Sequence, residues 1–355
     1  MKPQLRTGHD IIHLDRGVSV VGSMTYGIGQ EIVDPEGLLL ELNNIFDGTR
    51  ELDAALLEFS QKSGVSLAGA QGLLTQLEEN GHIEDSSALT SLTEQEKERY
   101  SRSAHYFSWI AKEAKPNRWT PQEQLKSSSV CVLGVGGVGG AIAGQLAASG
   151  VGRITLVDFD VVEESNLNRQ ILFGTSDVGR PKAQAAADRV REINPLSHIE
   201  YFNEKVESPE RLRELFDNHT LVFRAADHPD DLPFRVSDAA LKTNTPWIDC
   251  SYNGPMIVCC TFVPGVTGCY RCVRESEKIR LAELGKSSMY SDHVPDINSA
   301  LGPVVQIAGS LAAYEGIRLL TGNRPQTVGR ALHQNMFIYS HSYEILIPED
   351  CNHGE

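Results

Sequence analysis

The sequence predicts an α/β protein: a doubly wound, Rossmann-like nucleotide-binding domain that ends in antiparallel strands and follows a smaller winged-helix-like domain. Three observations carry that expectation. From residue 128 onward, apolar strand-like runs alternate with helical ones, the order that builds a parallel sheet covered on both faces. One of these units, VCVLGVGGVGGAIAGQLAASGVGRITLVDFD at 130–160, runs strand, glycine turn, helix, strand. The chain's 355 residues also exceed the size, about 250 to 300 residues, at which a single core stops growing.

Residues 1–92 form the first unit. IIHLDRGVSVVGSMTYGIGQEIV reads as paired strands, and GLLLELNNIF, ELDAALLEFSQKSG and SLAGAQGLLTQLEENGHIED read as three helices. Leu73, Leu74 and Leu77 fall on one face of the last helix, and Gly81 stands where a C-terminal cap is expected. Strands with three short helices resemble a winged helix-turn-helix, but the segment carries five Lys/Arg against fourteen Asp/Glu. Nonspecific DNA affinity comes from basic side chains displacing counterions, so nucleic acid is not expected as a partner. A strand edge beside a helix can accept an extended peptide by strand addition, and a dimerisation cap is the plainer alternative. Residues 93–127 read as a charged helical connector broken near Pro116 and Pro121.

In residues 128–355, strands are expected at 129–134, 153–159, 198–206, 221–227 and 246–252, with helices at 140–149, 181–193, 208–217 and 232–243. The tail changes character. MIVCCTFVP, TVGRALHQNMFIYS and YEILIP read as antiparallel strands around one long helix, 303–320, and 274–300 as a loop in which His293 is a solvated or substrate-covering residue. With 41% hydrophobic and 22% charged residues the chain is globular, and it has no apolar run of the roughly 20 residues that span a bilayer. The start, MKPQLRTGHDIIHLD, lacks the apolar segment of a secretory signal, so a cytoplasmic location away from membrane is expected. The seven cysteines, with Cys259 and Cys260 adjacent in an apolar run, suit buried thiols better than a disulfide framework. The net charge of −15 argues against DNA and anionic membrane, so any anion site must be local.

Gly134, Gly136 and Gly139, with Gly137 among them, satisfy G-x-G-x-x-G directly after a strand and at the start of a helix. There the backbone must adopt unusual dihedrals and bring N–H groups close to phosphate at the positive helix end. Asp158 ends the next strand, where a carboxylate accepts hydrogen bonds from ribose hydroxyls. That turn alone leaves NAD and ATP both open. The residues after it favour ATP: Asp160, Asn166, Arg169 and Gln170 lie in DFDVVEESNLNRQILF, and Lys182 opens a helix after Gly179-Arg180-Pro181. A dinucleotide has no γ-phosphate to neutralise, whereas Arg169 and Lys182 can clamp a triphosphate as charge moves on to pyrophosphate. Asp227, ending LVFRAAD, can hold Mg²⁺ through oxygen ligands. Singly each is an ordinary surface charge or turn residue; their order after the glycine turn carries the inference. Cys269 and Cys272 in GCYRC have the two-residue spacing of a zinc knuckle.

The stretches GVGGVGG, VDFDVVEESNLNRQ, DVGRPKAQ and AADHP resemble the ubiquitin-activating-enzyme-like superfamily of ThiF and MoeB type adenylating enzymes, across residues 130–230 and more weakly to the end. Together with the N-terminal module, ERYSR and VPGVTGCYRC, they are most similar to its peptide-modifying branch, typified by MccB. The resemblance implies ATP- and Mg²⁺-dependent adenylation of a side-chain carboxylate, a glutamate, in a ribosomally made precursor peptide, followed by dehydrative cyclisation in peptide antibiotic biosynthesis. It also implies a homodimer in which Arg102 reaches the neighbouring subunit's ATP. Relatives complete the zinc site with a second C-x-x-C near the C-terminus; this chain departs from that, offering Cys351 and His353, so a Zn²⁺ site and a metal-free remnant both stand. The 274–300 segment lacks the cysteine that thioester-forming members carry, which disfavours ubiquitin-like transfer. Adenylation of a sulfur-carrier protein's C-terminal glycine is the alternative activity.

Overall fold

The computed structural model describes residues 1–23, 29–287, 299–349, 351 and 353; His293 lies outside the described residues. Two compact units divide the chain, Met1–Glu123 and Gln124–Glu355.

In the first unit β1 (Pro3–Leu5) pairs antiparallel with β5 (Ile83–Asp85), while β2 (Asp10–Leu14), β3 (Val18–Gly22) and β4 (Gln30–Val33) form a separate antiparallel sheet. Helices α1 (Leu38–Ile45), α2 (Leu52–Ser63) and α3 (Leu67–Glu79) contribute Leu42, Phe59, Leu74 and Leu77 to one core. The local signals are visible in the boundaries. Gly64 ends α2 in the left-handed conformation, the Ser66 hydroxyl accepts from the Gly69 amide to start α3, and Gly81 follows α3 at φ 75. Leu74 and Leu77 are buried as their spacing requires, and Leu73 is half-buried at the rim. α4 (Glu94–Trp109) opens with a Thr93–Glu96 capping box. Pro121, expected to break the connector, instead lies in the first turn of α5 (Thr120–Ser127), where its missing N–H is harmless.

The second unit is built on an eight-stranded sheet. β6 (Ser129–Leu133), β7 (Arg153–Val157), β8 (His198–Phe202), β9 (Leu221–Arg224) and β10 (Trp247–Asn253) run parallel, and β11 (Met256–Phe262), β12 (Arg330–Asn335) and β13 (Tyr343–Leu346) continue antiparallel in the order β13-β12-β11-β10-β9-β6-β7-β8. β6 has β7 on one side and β9 on the other, which makes its C-terminal end the point where the strand order reverses and ligand crevices open. α6 (Gly137–Ala148), α7 (Lys182–Ile193), α8 (Pro209–Asp217), α9 (Leu232–Thr243) and α11 (Gly302–Leu320) cover the sheet. α6 and α11 meet through small residues: a Cβ on Gly309 would lie 2.5 Å from Ala141 Cβ, and one on Gly137 2.4 Å from Val305 Cγ1.

Further expectations differ from the structure, among them the strand expected at 198–206, which ends at Phe202. Residues 270–283, whose greater part reads as loop, form α10 (Tyr270–Glu283); it buries only Cys272 and Val273, so no apolar stripe advertises it. β12 stops at Asn335, whose side-chain oxygen accepts from the Phe337 and Ile338 amides and turns the chain away from the ladder. β9 stops at Arg224, leaving Ala225, Ala226 and Asp227 in the loop beyond it. Among the described residues no helix is long and apolar enough to cross a membrane, and all seven cysteines are free thiols.

The first unit buries a histidine pair, His9 and His82, with Nδ1 atoms 3.2 Å apart. Burial first, then His9 and Arg6, bring His82 from 6.5 down to about 4, and burial also lowers His9. The unfolded chain therefore takes up protons as pH falls below about 6.5 while the folded unit resists them. The expected outcome is full stability above that pH and a progressive loss towards pH 4, measured as denaturation midpoints across the range; His82→Phe should flatten the curve.

Candidate active site

The crevice at the end of β6 starts from a backbone constraint. Gly134 has φ 85, and a Cβ there would stand 2.7 Å from the Ala226 amide nitrogen. A Cβ on Gly139 would stand 1.8 Å from the Gly134 carbonyl oxygen, so only glycine lets α6 settle on the turn. The amino end of α6 then presents Gly136 and Gly137 to a cleft of about 400 Å³, which Gly139 does not line. Open N–H groups and the helix dipole make that end an anion seat.

Asp158, beyond β7, is 9% exposed and lines the cleft. Its carboxylate accepts from the Val135 amide at 2.8 Å and the Asp160 amide at 2.9 Å. Burial raises its pKa and the two amides pull the other way. The group therefore shapes the turn while its remaining lone pairs face the cleft. Lys182, at the start of α7 and 8% exposed, holds Asp160 at 2.9 Å. Arg169 is braced by the Ser165 carbonyl and Asn168 Oδ1, both at 2.9 Å, and its own carbonyl accepts from Gln306 of α11 at 2.9 Å. Asn166 accepts from the Glu163 amide at 3.2 Å and so closes the short turn before Arg169. Gln170 is 6% exposed, and its side-chain oxygen has no hydrogen-bond partner among the described residues. Gln170 lines the cleft, and its orphaned oxygen is a buried acceptor beside it that lacks a donor.

Gly134, Gly136, Gly137, Asp158, Asp160, Asn166, Arg169, Gln170, Lys182 and Asp227, widely spaced in sequence, all line this one cleft. Asp227 is exposed at its edge. Arg102 lies on the exposed face of α4, and no ion pair joins it to Glu98 among the described residues. Lys205 and Tyr252 also line the cleft and carry no motif that would single them out. Phe159 and His228 line it too; they lie within VDFDVVEESNLNRQ and AADHP, but the sequence suggests no role for them. Lys205 Nζ lies 5.8 Å from the Phe159 ring centre.

A second cluster joins Cys269 and Cys272, at the start of α10, with Cys351 and His353. Cys269 Sγ is 3.9 Å from Cys272 Sγ, Cys272 Sγ 3.8 Å from Cys351 Sγ, and His353 Nδ1 lies 3.5, 3.4 and 3.8 Å from the three sulfurs. Tetrahedral zinc with ordinary Zn–S and Zn–N bonds has edges of about 3.6 to 3.8 Å, so the donor set has the size of a metal site. Glu275 Oε1, 3.4 Å from His353 Nε2, is placed to orient the ring.

Residues 100–351 match the ThiF family. A sulfur carrier protein adenylyltransferase of Thermus thermophilus is 34% identical over 61% of this chain and 76% of its own. The chain spans about half the length of the first curated relatives it matches, 45% and 52%. Among solved structures, Escherichia coli MccB superposes with a TM-score of 0.77 at 24% identity, covering 99% of this chain and 96% of that one. PaaA gives 0.71 at 26%, covering 96% and 99%.

Replacing both partners of a poor polar contact by apolar groups costs little, whereas an orphaned buried acceptor carries a desolvation penalty. Gln170→Met should therefore unfold at the same temperature as the parent or higher; a melt lowered by several degrees would reveal a hidden partner for the oxygen.

Proposed function

The chain belongs to the ThiF family, and from that premise we propose that it is an ATP-dependent adenylating enzyme that activates a glutamate side chain of a ribosomally made precursor peptide. The observation that carries this reading is the gathering of Arg169, Lys182 and Asp227 around the glycine turn and Asp158 in one cleft. A carboxylate is inert to amide nucleophiles because its oxygen leaves poorly. Attack by a carboxylate oxygen on the α-phosphate forms a C–O–P bond and breaks the bond to the β-phosphate, releasing pyrophosphate. A backbone amide nitrogen then attacks the acyl carbon, AMP leaves, and the proton passes to solvent, so one ring closes with net loss of water.

The chain's own groups fit these steps. Asp158 receives the ribose hydroxyls, the α6 amino end and Lys182 take phosphate oxygens, and Arg169 faces the departing pyrophosphate. Lys182 must exchange its Asp160 partner for phosphate, which keeps the buried ammonium paired in either arrangement. Asp227 would hold Mg²⁺, which neutralises phosphate charge. Arg102 of a second copy would add a bidentate donor set, making the working unit a homodimer. No enzyme thiol is needed. Cys131 is pushed up to about 12 by burial, Cys260 is raised by burial as well, and Cys259 is raised by its hydrogen bond with Cys250 and by burial, so these thiols stay protonated. Such free thiols suit a reducing compartment such as the cytoplasm.

Two comparisons bear on the substrate. The curated sulfur-carrier relatives align with only 61% and 57% of this chain. The likeness in fold to MccB, crystallised with ATP and with N-formylated MccA, extends over 99% or more, through the acidic N-terminal unit. That reach supports residues 1–92 as a precursor-peptide recognition module. The second reading, adenylation of a sulfur carrier's C-terminal glycine, rests on the named activity of those curated relatives.

Incubating the protein with ATP, Mg²⁺ and candidate glutamate-containing precursor peptides should lower the mass of the substrate peptide by one water per ring. Unchanged peptide mass with AMP trapped on an added sulfur carrier would favour the second reading. Lys182→Ala should cut turnover by about 10²- to 10³-fold and leave peptide affinity intact.

We further propose that Cys269, Cys272, Cys351 and His353 hold a structural Zn²⁺ that fixes the C-terminal tail to α10. Metal analysis should find about one zinc per chain, lost in Cys272→Ser together with a lowered melting temperature. A metal-free protein that melts like Cys272→Ser would identify the cluster as a remnant.

A further inference from the structure

Arg224, the last residue of β9, and Asp249 of β10 are register partners in parallel strands, 6% and 5% exposed. Arg224 Nε donates to Asp249 Oδ1 and Arg224 Nη1 donates to the Ala226 carbonyl at 2.7 Å. Neither residue lines the cleft. An ion pair this buried loses hydration that its attraction barely restores, and well-packed apolar residues often serve stability as well or better. Stability alone is therefore a weak reason for it, and its position supplies another.

The Ala226 carbonyl belongs to the same rigid peptide plane as the Asp227 N–H. Fixing that oxygen fixes the plane from which Asp227 departs. The same stretch is held from its other flank. The Ala225 amide donates to the Leu133 carbonyl at 2.8 Å, and Gly134 approaches so closely that its absent Cβ would lie 2.7 Å from the Ala226 nitrogen. Asp227 itself is exposed, and its carboxylate has no hydrogen-bond or ion-pair partner among the described residues. Its direction thus follows from a backbone that Arg224, Leu133 and Gly134 hold together, with Arg224 fixing the peptide plane next to Asp227.

We propose that Arg224, anchored by Asp249, is a positioning residue that aims Asp227 at a divalent cation on the bound nucleotide. This rests on the reading of the cleft as a Mg·ATP site. A carboxylate in that place would have no hydrogen to donate to the Ala226 oxygen and would repel Asp249, and a lysine would keep the charge but lose the fork that serves two acceptors at once. The guanidinium does both, because Nε and Nη1 point along different edges of one plane.

The test is calorimetric titration with ATP in Mg²⁺ and again in EDTA. Arg224→Met alone strands the Asp249 charge, so the informative variant is the double Arg224→Met/Asp249→Leu, with Arg224→Lys beside it. Both should bind ATP on the order of tenfold more weakly in Mg²⁺, as expected when a ligand is misaimed, and equally well in EDTA. Adding Asp227→Asn should cause no further loss in either. The inference is overturned if either variant binds Mg·ATP as the parent does, or if affinity falls equally in EDTA. A parent that ignores ATP under both conditions overturns the functional reading instead.

Discussion

The approach of bare backbone to bare backbone at Gly134 and Gly139 is the constraint on which the site depends. With a Cβ at 139 forbidden by the Gly134 carbonyl, and one at 134 by Ala226, β6, α6 and the loop after β9 converge within van der Waals reach. Three further contacts exist only because they do. Asp158 reaches the Val135 amide, the Ala225 amide reaches the Leu133 carbonyl, and α11 lies against α6 through Gly137 and Gly309. A single methyl at the turn would displace a strand end, a helix end and an acid together, which is why the arrangement works as one object.

Charge is arranged against the chain's overall sign. A protein of net charge −15 repels polyanions at long range, yet it gathers Lys182 and Arg169 beside an amino helix end. Screening over roughly 8 to 10 Å separates the two scales. The cleft itself sets Arg169, Lys182 and Lys205 among Asp158, Asp160, Glu163, Glu204 and Asp227, so an anion is held locally by the cations and the open amides and not by the net charge of the lining. Pairing Lys182 with Asp160 also limits the cost of burying an ammonium that is 8% exposed, since a buried charge without a partner carries an uncompensated desolvation penalty.

The parts of the molecule that were legible in sequence are those where residue type alone encodes geometry. Gly134, Gly136 and Gly137 announce a backbone that must approach a ligand, and Asp158 and Asp227 follow strands whose β-branched, apolar composition fixes their length to within a few residues. What stayed hidden needed three dimensions. α10 is polar on nearly all sides and was therefore silent in periodicity. Lys205 and Phe159 reach the cleft from different strand ends without a shared spacing. Arg224 reads as a charge inside an apolar strand, a seeming error, until β10 places Asp249 beside it. Residues joined by sheet register, 25 positions apart along the chain, leave no local trace.

The state of the thiols bears on the kind of chemistry the cleft can host. Thioester transfer needs a cysteine that ionises near neutral pH beside the activated acyl group. Cys250 does line the cleft, but it is 1% exposed, donates to the Ala308 carbonyl at 3.2 Å and faces Cys259 across the β10–β11 ladder. A buried thiol committed to a carbonyl acceptor and shielded by a neighbouring sulfur is a packing group. An acyl adenylate formed in such a cleft has no protein nucleophile of this type at hand. Its lifetime is then governed by what the substrate carries. A peptide that presents its own amide gains the large effective concentration of an intramolecular reaction, whereas a carrier terminus would have to wait for an external sulfur donor. On the proposed reading, a substrate that is both acyl donor and nucleophile suits a cleft without a reactive thiol.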